Sequence, residues 1–272
     1  MRDVDLNQIL EYIPKYGITH SVFVPAVLQF LLMMPEAENV DYSSLRLVVY
    51  GASPISREVL EQSIERFGCK FAQAYGLTET SGGVGLLLPE DHDPRGRHPE
   101  RLQSAGRAAP GVELRIVDLE SGTDAATGEV GEVWIRGPEV MVGYWNHPEA
   151  TAAAITPDGW LRSGDAGHLD ADGYLYLSDR VKDMIISGGE NVYPAEVENV
   201  LMSHRDVADV GVIGVPDDKW GEAVKAIVVR APGSDLTAED LIAYARDRMA
   251  HYKVPAPSTG PRRCPARRRA RS

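Results

Sequence analysis

The sequence has little of what would place it outside the cytoplasm. Among 272 residues it has two cysteines, Cys69 and Cys264, which are too few for a disulfide framework. No secretory signal is visible at the N-terminus. The most apolar stretch, residues 22–34, contains Pro25 and Gln29 and is shorter than the roughly 20 residues that cross a membrane. We therefore expect a cytoplasmic protein without an integral membrane segment.

Positive charge is also scarce. The chain has 28 basic and 40 acidic residues and a formal net charge of -12. Six arginines lie after Pro261, whereas no acidic residue follows Asp247. A general nucleic-acid binder needs a basic face that neutralises phosphates, so the acidic body argues against that class. It also argues against tight binding to anionic membranes, while weaker peripheral contact with a membrane stays open.

The first half of the chain has the pattern of an α/β sheet. Ser56 and Gly68 are suited to begin and end an amphipathic helix over residues 58–67. Apolar runs before and after it predict strands, and the order strand, turn, helix, strand indicates a crossover unit. The predicted helices are residues 6–16, 26–34 and 58–67, and the predicted strands are residues 22–24, 45–50 and 71–75. Residues 89–101 are charged and proline-rich and predict a surface loop.

The second half of the chain is richer in short strands. Runs at residues 112–117, 130–136 and 174–177 are bounded by Gly or Asp turns. A small α+β domain is predicted from Arg180, with strands at 184–186, 207–215 and 223–229 and helices at 194–202 and 238–249. The predicted divisions are residues 1–179, residues 180–255 and an aberrant Arg/Pro-rich tail, 256–272, expected to be disordered.

Two strand ends carry the first candidate site, at residues 50–54 (YGASP) and 73–80 (QAYGLTET). Ligands of open α/β sheets bind beyond the carboxyl ends of the strands. A threonine there can bond a phosphate oxygen, a glutamate can hold Mg²⁺, and an aromatic ring can cover a base. An ordinary turn with an N-cap explains the same residues.

Three further positions are ambiguous when each is taken alone. Residues 158–165 (DGWLRSGD) with Arg180 could hold a ribose between a carboxylate and a guanidinium, or could form a hairpin with a surface ion pair. Residues 187–191 (SGGEN) permit close approach of a ligand, or form a plain strand-to-helix turn. His20 could be a base or a gate, or a structural histidine.

The order and spacing of these motifs resemble the adenylate-forming superfamily of acyl-CoA synthetases, luciferases and peptide-synthetase adenylation domains. The match runs from about residue 17 to residue 255 and includes YGLTE at 75–79, GEVWIRG at 131–137 and GYW at 143–145. It continues through residues 160–165, 179–183 and 188–198. The resemblance implies an α/β fold: residues 1–179 as the back part of a large AMP-binding domain, with a parallel α/β sheet and a small distorted β-barrel, and residues 180–255 as a small mobile C-terminal α+β domain.

The same resemblance implies a role for each matching residue. Thr78 would contact the α-phosphate, and Glu79 would hold Mg²⁺. Lys182 would be the hinge about which the small domain rotates, and His20 would gate the acyl pocket. The implied nucleotide-binding residues are Gly51, Ala52, Ser53, Gln73, Ala74, Tyr75, Gly76, Thr78, Asp165 and Arg180, of which Asp165 and Arg180 would grip the ribose. The implied CoA-binding residues are Gly188, Gly189 and Glu190.

The implied activity is ligation of a carboxylic acid to a thiol. Such an enzyme uses ATP, Mg²⁺ and CoA to convert the acid into acyl-AMP and then into a thioester. A fatty acid is the expected substrate because the chain resembles bacterial fatty-acyl ligases over its length, with aryl and other short acids as alternatives. A non-catalytic remnant that binds nucleotide or CoA is the rival from another class.

Two departures from the family pattern support that rival. The family's Ser/Thr/Gly-rich phosphate loop belongs upstream of residue 1, and its adenylation lysine belongs where the chain has the Arg/Pro-rich segment 256–272. We hypothesise that the tail is an out-of-frame reading and that Met1 is an internal start. A genuine basic tail that binds acidic partners is the alternative.

Overall fold

The computed structural model describes residues 4–255. The predicted tail, 256–272, lies outside them. The chain divides into two compact units, the first ending at Leu177 and the second beginning at Ser178. This division falls two residues before the one predicted from the sequence. Within residues 4–255, no helix is long and apolar enough to cross a lipid bilayer.

The first unit contains four helices and most of the strands. Its helices are α1 (Leu6–Tyr16), α2 (Pro25–Met33), α3 (Arg57–Phe67) and α4 (Pro148–Ala154). Its strands are β1 (His20–Phe23), β2 (Leu47–Gly51), β3 (Lys70–Tyr75), β4 (Gly85–Leu87), β5 (Arg107–Ala108), β6 (Glu113–Val117), β7 (Gly131–Arg136), β8 (Leu161–Leu169) and β9 (Leu175–Arg180), the last of which runs on into the second unit. The predicted loop at 89–101 contains short 3-10 turns at Pro89–Asp91 and from Pro99.

Two sheets form the first unit. One has the order β1-β2-β3-β4-β5, in which β1, β2 and β3 are parallel and β4 and β5 are antiparallel. The other has the order β6-β7-β8-β9. Its paired strands β6, β7 and β8 run antiparallel. The α/β fold class is thereby confirmed.

Local sequence signals set the helix bounds. The Ser56 hydroxyl accepts a hydrogen bond from Val59 N (3.3 Å) at the start of α3, and Gly68 ends the helix in the left-handed region, as predicted. Helices α1, α2 and α3 pack on one face of the parallel strands, in a core that includes Leu28, Leu60 and the strand residues Val48 and Tyr50. A second core lies on the β6–β9 sheet.

The second unit is an antiparallel sheet with two helices. Its strands are β10 (Ile185–Ser187), β11 (Glu190–Val192), β12 (Val207–Asp217) and β13 (Gly221–Arg230), in the order β11-β10-β13-β12. Its helices are α5 (Pro194–Met202) and α6 (Ala238–Arg246). The prediction that the second helix extends to residue 249 is wrong, since α6 ends three residues earlier. Helix α4 and strands β4, β5, β8 and β11 were not predicted.

Candidate active site

The carboxyl ends of β2 and β3 lie side by side. Gly51 pairs with Ala74 in the parallel register, which brings the two predicted nucleotide-binding segments together. A Cβ atom at Gly51 would lie 2.2 Å from the Ala74 carbonyl oxygen, so only glycine fits there. The next residue, Ala52, has φ of 69°, a left-handed conformation that L-residues other than Asn and Asp rarely adopt. The backbone here is therefore held in a close and sharply turned arrangement.

Tyr50, just before this turn, is fixed by a buried histidine that the sequence analysis did not single out. Its hydroxyl lies 3.0 Å from His92 Nε2, and His92 Nδ1 lies 2.9 Å from the Leu88 carbonyl oxygen. Because a carbonyl can only accept, Nδ1 carries the proton and Nε2 accepts from Tyr50. Burial lowers the pKa of His92 and raises that of Tyr50. The pair is thus neutral at physiological pH.

Two residues predicted for the nucleotide site meet directly. The Tyr75 hydroxyl donates a hydrogen bond of 2.6 Å to Asp165 Oδ2, and both side chains are buried. Tyr75 ends β3 and Asp165 lies within β8, so this contact joins the two sheets of the first unit. The Asp165 backbone nitrogen also donates to the Ser163 hydroxyl at 3.0 Å. The Asp165 carboxylate of one sheet is therefore held by a tyrosine from the other.

The predicted phosphate-contacting segment is a 3-10 turn, Thr78–Thr80. Buried Thr80 secures it, because its Oγ1 atom accepts from Leu77 N at 2.9 Å and lies 2.9 Å from the Gly82 carbonyl oxygen. Gly76 approaches the same loop so closely that a Cβ atom there would lie 1.9 Å from the Gly82 oxygen. Thr78 remains exposed at the start of the turn. Thr80 had no predicted role, and Leu77 followed by Thr80 is not a capping pattern that the sequence could have shown.

Glu79 is oriented by Tyr144, a residue without a predicted role. The Tyr144 hydroxyl donates to Glu79 Oε1 at 2.8 Å, and the Glu79 carbonyl oxygen accepts from Met141 N at 2.7 Å. The hydrogen bond to Glu79 is the main cause that raises the pKa of Tyr144. Within residues 4–255 no three acidic, His or Cys side chains cluster as a metal site. A single carboxylate still fits Mg²⁺, which usually keeps several waters and takes phosphate oxygens as ligands.

Glu132 supports the segment before Asp165. Its two carboxylate oxygens accept from Gly164 N at 3.0 Å and from the Trp134 indole nitrogen at 2.8 Å. Gly164 has φ of 71°, so the bend in β8 before Asp165 requires a residue that tolerates this conformation. Glu132 belongs to the GEVWIRG motif at 131–137, but no local sequence signal indicates this long-range contact.

Residues 180–190, in the second unit, hold five further predicted positions. Arg180 ends β9, and exposed Lys182 lies in a 3-10 turn. The carboxylate of Asp179 accepts from Ala195 N at 2.7 Å, at the start of α5, and so ties the predicted hinge segment to a helix N-terminus. Asp179 was not assigned that function from sequence.

Gly188 and Gly189 form the turn between β10 and β11, with φ of 63° and 86°, and exposed Glu190 follows. The predicted strand-to-helix turn is therefore a hairpin turn. A Cβ atom at Gly188 would lie 2.7 Å from Trp220 Cε3, and Gly188 N donates to the Trp220 carbonyl oxygen at 2.8 Å. Trp220 is half exposed. The glycines thus lie beside a flat apolar ring that the sequence analysis did not include.

The structure does not bring His20 to the strand-end residues. His20 is exposed at the beginning of β1, where it pairs with Leu47 at the amino end of β2, and its Nδ1 atom lies 2.9 Å from Thr19 Oγ1. Gly51 and Tyr75 lie at the opposite, carboxyl ends of the parallel strands. The gate assignment stays a prediction without support from this location.

Comparison with known proteins agrees with this geometry. The sequence profile described as "AMP-binding enzyme" matches residues 1–145, and that described as "AMP-binding enzyme C-terminal domain" matches residues 196–258. A fatty acid--[acyl-carrier-protein] ligase of Streptomyces coeruleorubidus is 44% identical over 94% of this chain and 48% of its own length. A feruloyl-CoA synthase of an Amycolatopsis species is 42% identical over 92% of this chain and 49% of its own.

Solved structures give the same result. An amide bond synthetase from Marinactinospora thermotolerans is similar with a TM-score of 0.85 and 42% identity, over 94% of this chain and 50% of that one. An o-succinylbenzoate CoA synthetase from Bacillus subtilis, solved with its acyl-adenylate intermediate, has a TM-score of 0.83 and 37% identity over 94% of this chain and 50% of that one. The chain spans about half the length of the curated relatives that it matches.

Proposed function

Because the chain belongs to the AMP-binding enzyme family, we propose that it forms the nucleotide- and thiol-handling part of an ATP-dependent acid–thiol ligase. Such a ligase converts a carboxylic acid and ATP into acyl-AMP and pyrophosphate, and then transfers the acyl group to a thiol. The single observation that supports this most directly is the buried Tyr75–Asp165 contact, which joins two predicted nucleotide-binding segments at the sheet ends.

The residues of the first unit suit the demands of adenylation. Attack of a carboxylate on the α-phosphate concentrates negative charge, which must be offset by hydrogen-bond donors and a cation. Exposed Thr78 offers a hydroxyl to a phosphate oxygen, and Glu79, oriented by Tyr144, offers a carboxylate oxygen to Mg²⁺. Asp165 accepts ribose hydroxyls, with Arg180 as the second ribose residue. Gly51, Ala52 and Ser53 line the adenine side with Gln73, Ala74, Tyr75 and Gly76.

The second unit suits the thiol step. Gly188 and Gly189 leave a turn without side chains beside the half-exposed indole of Trp220. A narrow, apolar surface of this kind can accept the slender pantetheine arm of CoA, with Glu190 at its edge. Lys182 is the proposed hinge about which the small domain rotates. Such a rotation would shield the acyl-adenylate from water until the thiol arrives.

A long- or medium-chain fatty acid is the proposed substrate and CoA the proposed acceptor. Support comes from relatives named as fatty-acid ligases, among them a medium/long-chain-fatty-acid--CoA ligase of Mycobacterium tuberculosis with 44% identity over 83% of this chain. Other relatives are named for feruloyl-CoA and indoleacetate, and one for an acyl-carrier protein as acceptor. Aromatic acids are therefore the competing substrate class in any assay.

Nucleotide binding is tested by calorimetric titration of the full chain with AMP. We expect saturable binding that Asp165→Asn weakens at least about tenfold, because the neutral amide accepts ribose hydroxyls less strongly than a carboxylate. Asp209→Asn, an exposed position in the second unit, serves as the matched control and should leave binding unchanged. A folded wild-type chain that does not bind AMP, or equal loss in both variants, would contradict the proposal.

A non-catalytic chain that only binds nucleotide or CoA is the second candidate. Exchange of labelled pyrophosphate into ATP separates the two candidates. Exchange that depends on added fatty acid and falls in Glu79→Gln supports the ligase. AMP binding without any acid-dependent exchange supports the binding protein.

A further inference from the structure

The loop between β4 and β5 contains two neighbouring residues, Asp91 and His92, that contact different sheets. His92 is 7% exposed, and its Nε2 atom lies 3.0 Å from the hydroxyl of Tyr50 in β2. Its ring also packs near that of Phe71 in β3, with 6.5 Å between the ring centroids. His92 therefore attaches the loop to the β1–β5 sheet.

Asp91 attaches the same loop to the β6–β9 sheet. The Tyr174 hydroxyl lies 2.9 Å from both carboxylate oxygens of Asp91, to which it donates. Arg101 Nη1 donates to Asp91 Oδ1 at 3.1 Å, while Arg101 Nη2 donates to Asp172 Oδ2 at 2.9 Å. Asp172 and Tyr174 belong to the turn between β8 and β9. The side chains of Asp91 and Arg101 are only 11% and 18% exposed, so water and salt screen their attraction little.

The turn between β8 and β9 is itself held in one conformation. Asp170 Oδ1 accepts from Asp172 N at 2.9 Å and from Tyr174 N at 2.8 Å. The Arg101 guanidinium lies over the Tyr174 ring, 4.2 Å from its centroid, which adds a cation–π attraction. A displacement of Asp91 is therefore passed on to the hairpin of β8 and β9.

Both sheets carry residues that are proposed for nucleotide binding close to these attachment points. Tyr50 lies two residues before Ala52, and Asp165 lies within β8. Ala52 has φ of 69°, a conformation that costs free energy and persists only when its surroundings enforce it. The hydrogen bond from Tyr50 to His92 fixes the strand that leads into this turn. An adenosine that contacts the turn with its base and Asp165 with its ribose needs both sheets at one separation.

We propose that Asp91 and His92, here called the inter-sheet clamp, are positioning residues for nucleotide binding. The clamp holds the turn after β2 and the Asp165 carboxylate at the separation that an adenosine spans, and it acts through Tyr50 and Tyr174. This rests on the proposed function, because the separation matters only to a ligand that contacts both sheets. A clamp that serves stability alone is the alternative, and it predicts an unchanged affinity in the folded fraction of each variant.

The test is calorimetric titration of the full chain and its variants with AMP, which separates the dissociation constant from the fraction of chain that binds. We expect His92→Leu to raise the dissociation constant at least about tenfold, because a contact displaced by about 1 Å is largely lost. His98→Leu, the same change at an exposed histidine of the same loop, should leave it unchanged. His92→Gln should restore most of the affinity, since its amide supplies both an acceptor and a donor.

The other end of the clamp gives a second variant, which removes a single oxygen atom. Tyr174→Phe keeps the ring beneath Arg101 and deletes the hydroxyl that donates to Asp91. We expect the dissociation constant for AMP to rise about fivefold, as for the loss of one hydrogen bond. Tyr16→Phe, the same change at an exposed tyrosine of α1, is the matched control and should have no effect.

Unchanged dissociation constants in His92→Leu and Tyr174→Phe, whatever their binding fractions, would assign the clamp to stability alone and overturn the proposal. An equal loss of affinity in His98→Leu would also overturn it. If His92→Leu does not fold, Tyr174→Phe decides the matter. A folded wild-type chain that does not bind AMP contradicts the proposed function and the clamp together, whereas wild-type binding with unaffected variants overturns the clamp alone.

Discussion

Two glycine-containing regions hold predicted site residues, and their surroundings differ. At the strand ends, Gly51 lies against the Ala74 backbone and Gly76 against the Gly82 backbone, and the neighbouring Tyr75 and Tyr50 are fixed by buried hydrogen bonds to Asp165 and His92. The Gly188–Gly189 turn is exposed and contacts one side chain, Trp220. The predicted nucleotide-binding segments are therefore more constrained by their surroundings than the predicted CoA-binding turn, and we expect them to tolerate substitution less well.

The strongest test of this contrast is a methyl group at Gly76. Gly76→Ala would place Cβ 1.9 Å from the Gly82 carbonyl oxygen. This oxygen cannot easily move away, because it belongs to the loop that Thr80 holds in place. We expect a loss of about 3 kcal/mol in the free energy of unfolding of the first unit, at the upper end for overpacking. Hydrogen exchange of β3 and β4 amides measures it. Gly82→Ala, with nothing within 4 Å of its added Cβ, is the control and should cost less than about 1 kcal/mol.

The second test asks whether Trp220 alone distinguishes the two glycines of the exposed turn. Both have positive φ, so each alanine should cost about 1–2 kcal/mol of backbone strain, and Gly188→Ala should cost more because its Cβ meets the indole. Hydrogen exchange of the β10 and β11 amides, recorded during thermal unfolding of the second unit, measures the free-energy cost of each substitution. In a Trp220→Ala background the difference should disappear. A difference that persists there would place the constraint in the backbone instead.

The smallest expected effect is a dependence of the first unit's stability on pH. Burial lowers the pKa of His92 in the folded chain, while Asp91 and the Leu88 carbonyl oppose this more weakly. Below the histidine pKa of about 6.5 in the unfolded chain, the unfolded chain therefore binds more protons than the folded chain, and stability falls as pH drops through that value. The loss is at most about 1.4 kcal/mol per pH unit for one proton.

Urea unfolding of the first unit between pH 7.5 and 5.5 checks this prediction. His92→Gln keeps an acceptor for the Tyr50 hydroxyl and a donor for the Leu88 carbonyl. It should therefore remove the pH dependence of the unfolding free energy without removing these contacts. Hydrogen exchange of the Gly188–Gly189 turn should not follow the same titration. An equal slope in His92→Gln would assign the dependence to other groups.

Sequence patterns predicted the elements that local chemistry controls. Helix α3 was predicted within one residue because Ser56 and Gly68 mark its ends, and α5 was predicted with its bounds because Pro194 suits the first turn. Strand β8 was not predicted. Its segment contains Gly164 at φ of 71°, which resembles a turn, and it becomes a strand only by pairing with β7. Pairing between distant segments leaves no local periodic signal.

The sequence by itself determined the family, the α/β class and the segments that carry the candidate site, because motif order and helix signals are properties of neighbouring residues. Only the tertiary structure decided which of these segments meet. Tyr75 and Asp165 are 90 residues apart and join in one hydrogen bond, Tyr144 reaches Glu79, and His20 lies away from both. These contacts follow from strand order and register, which depend on how the whole chain buries its apolar surface.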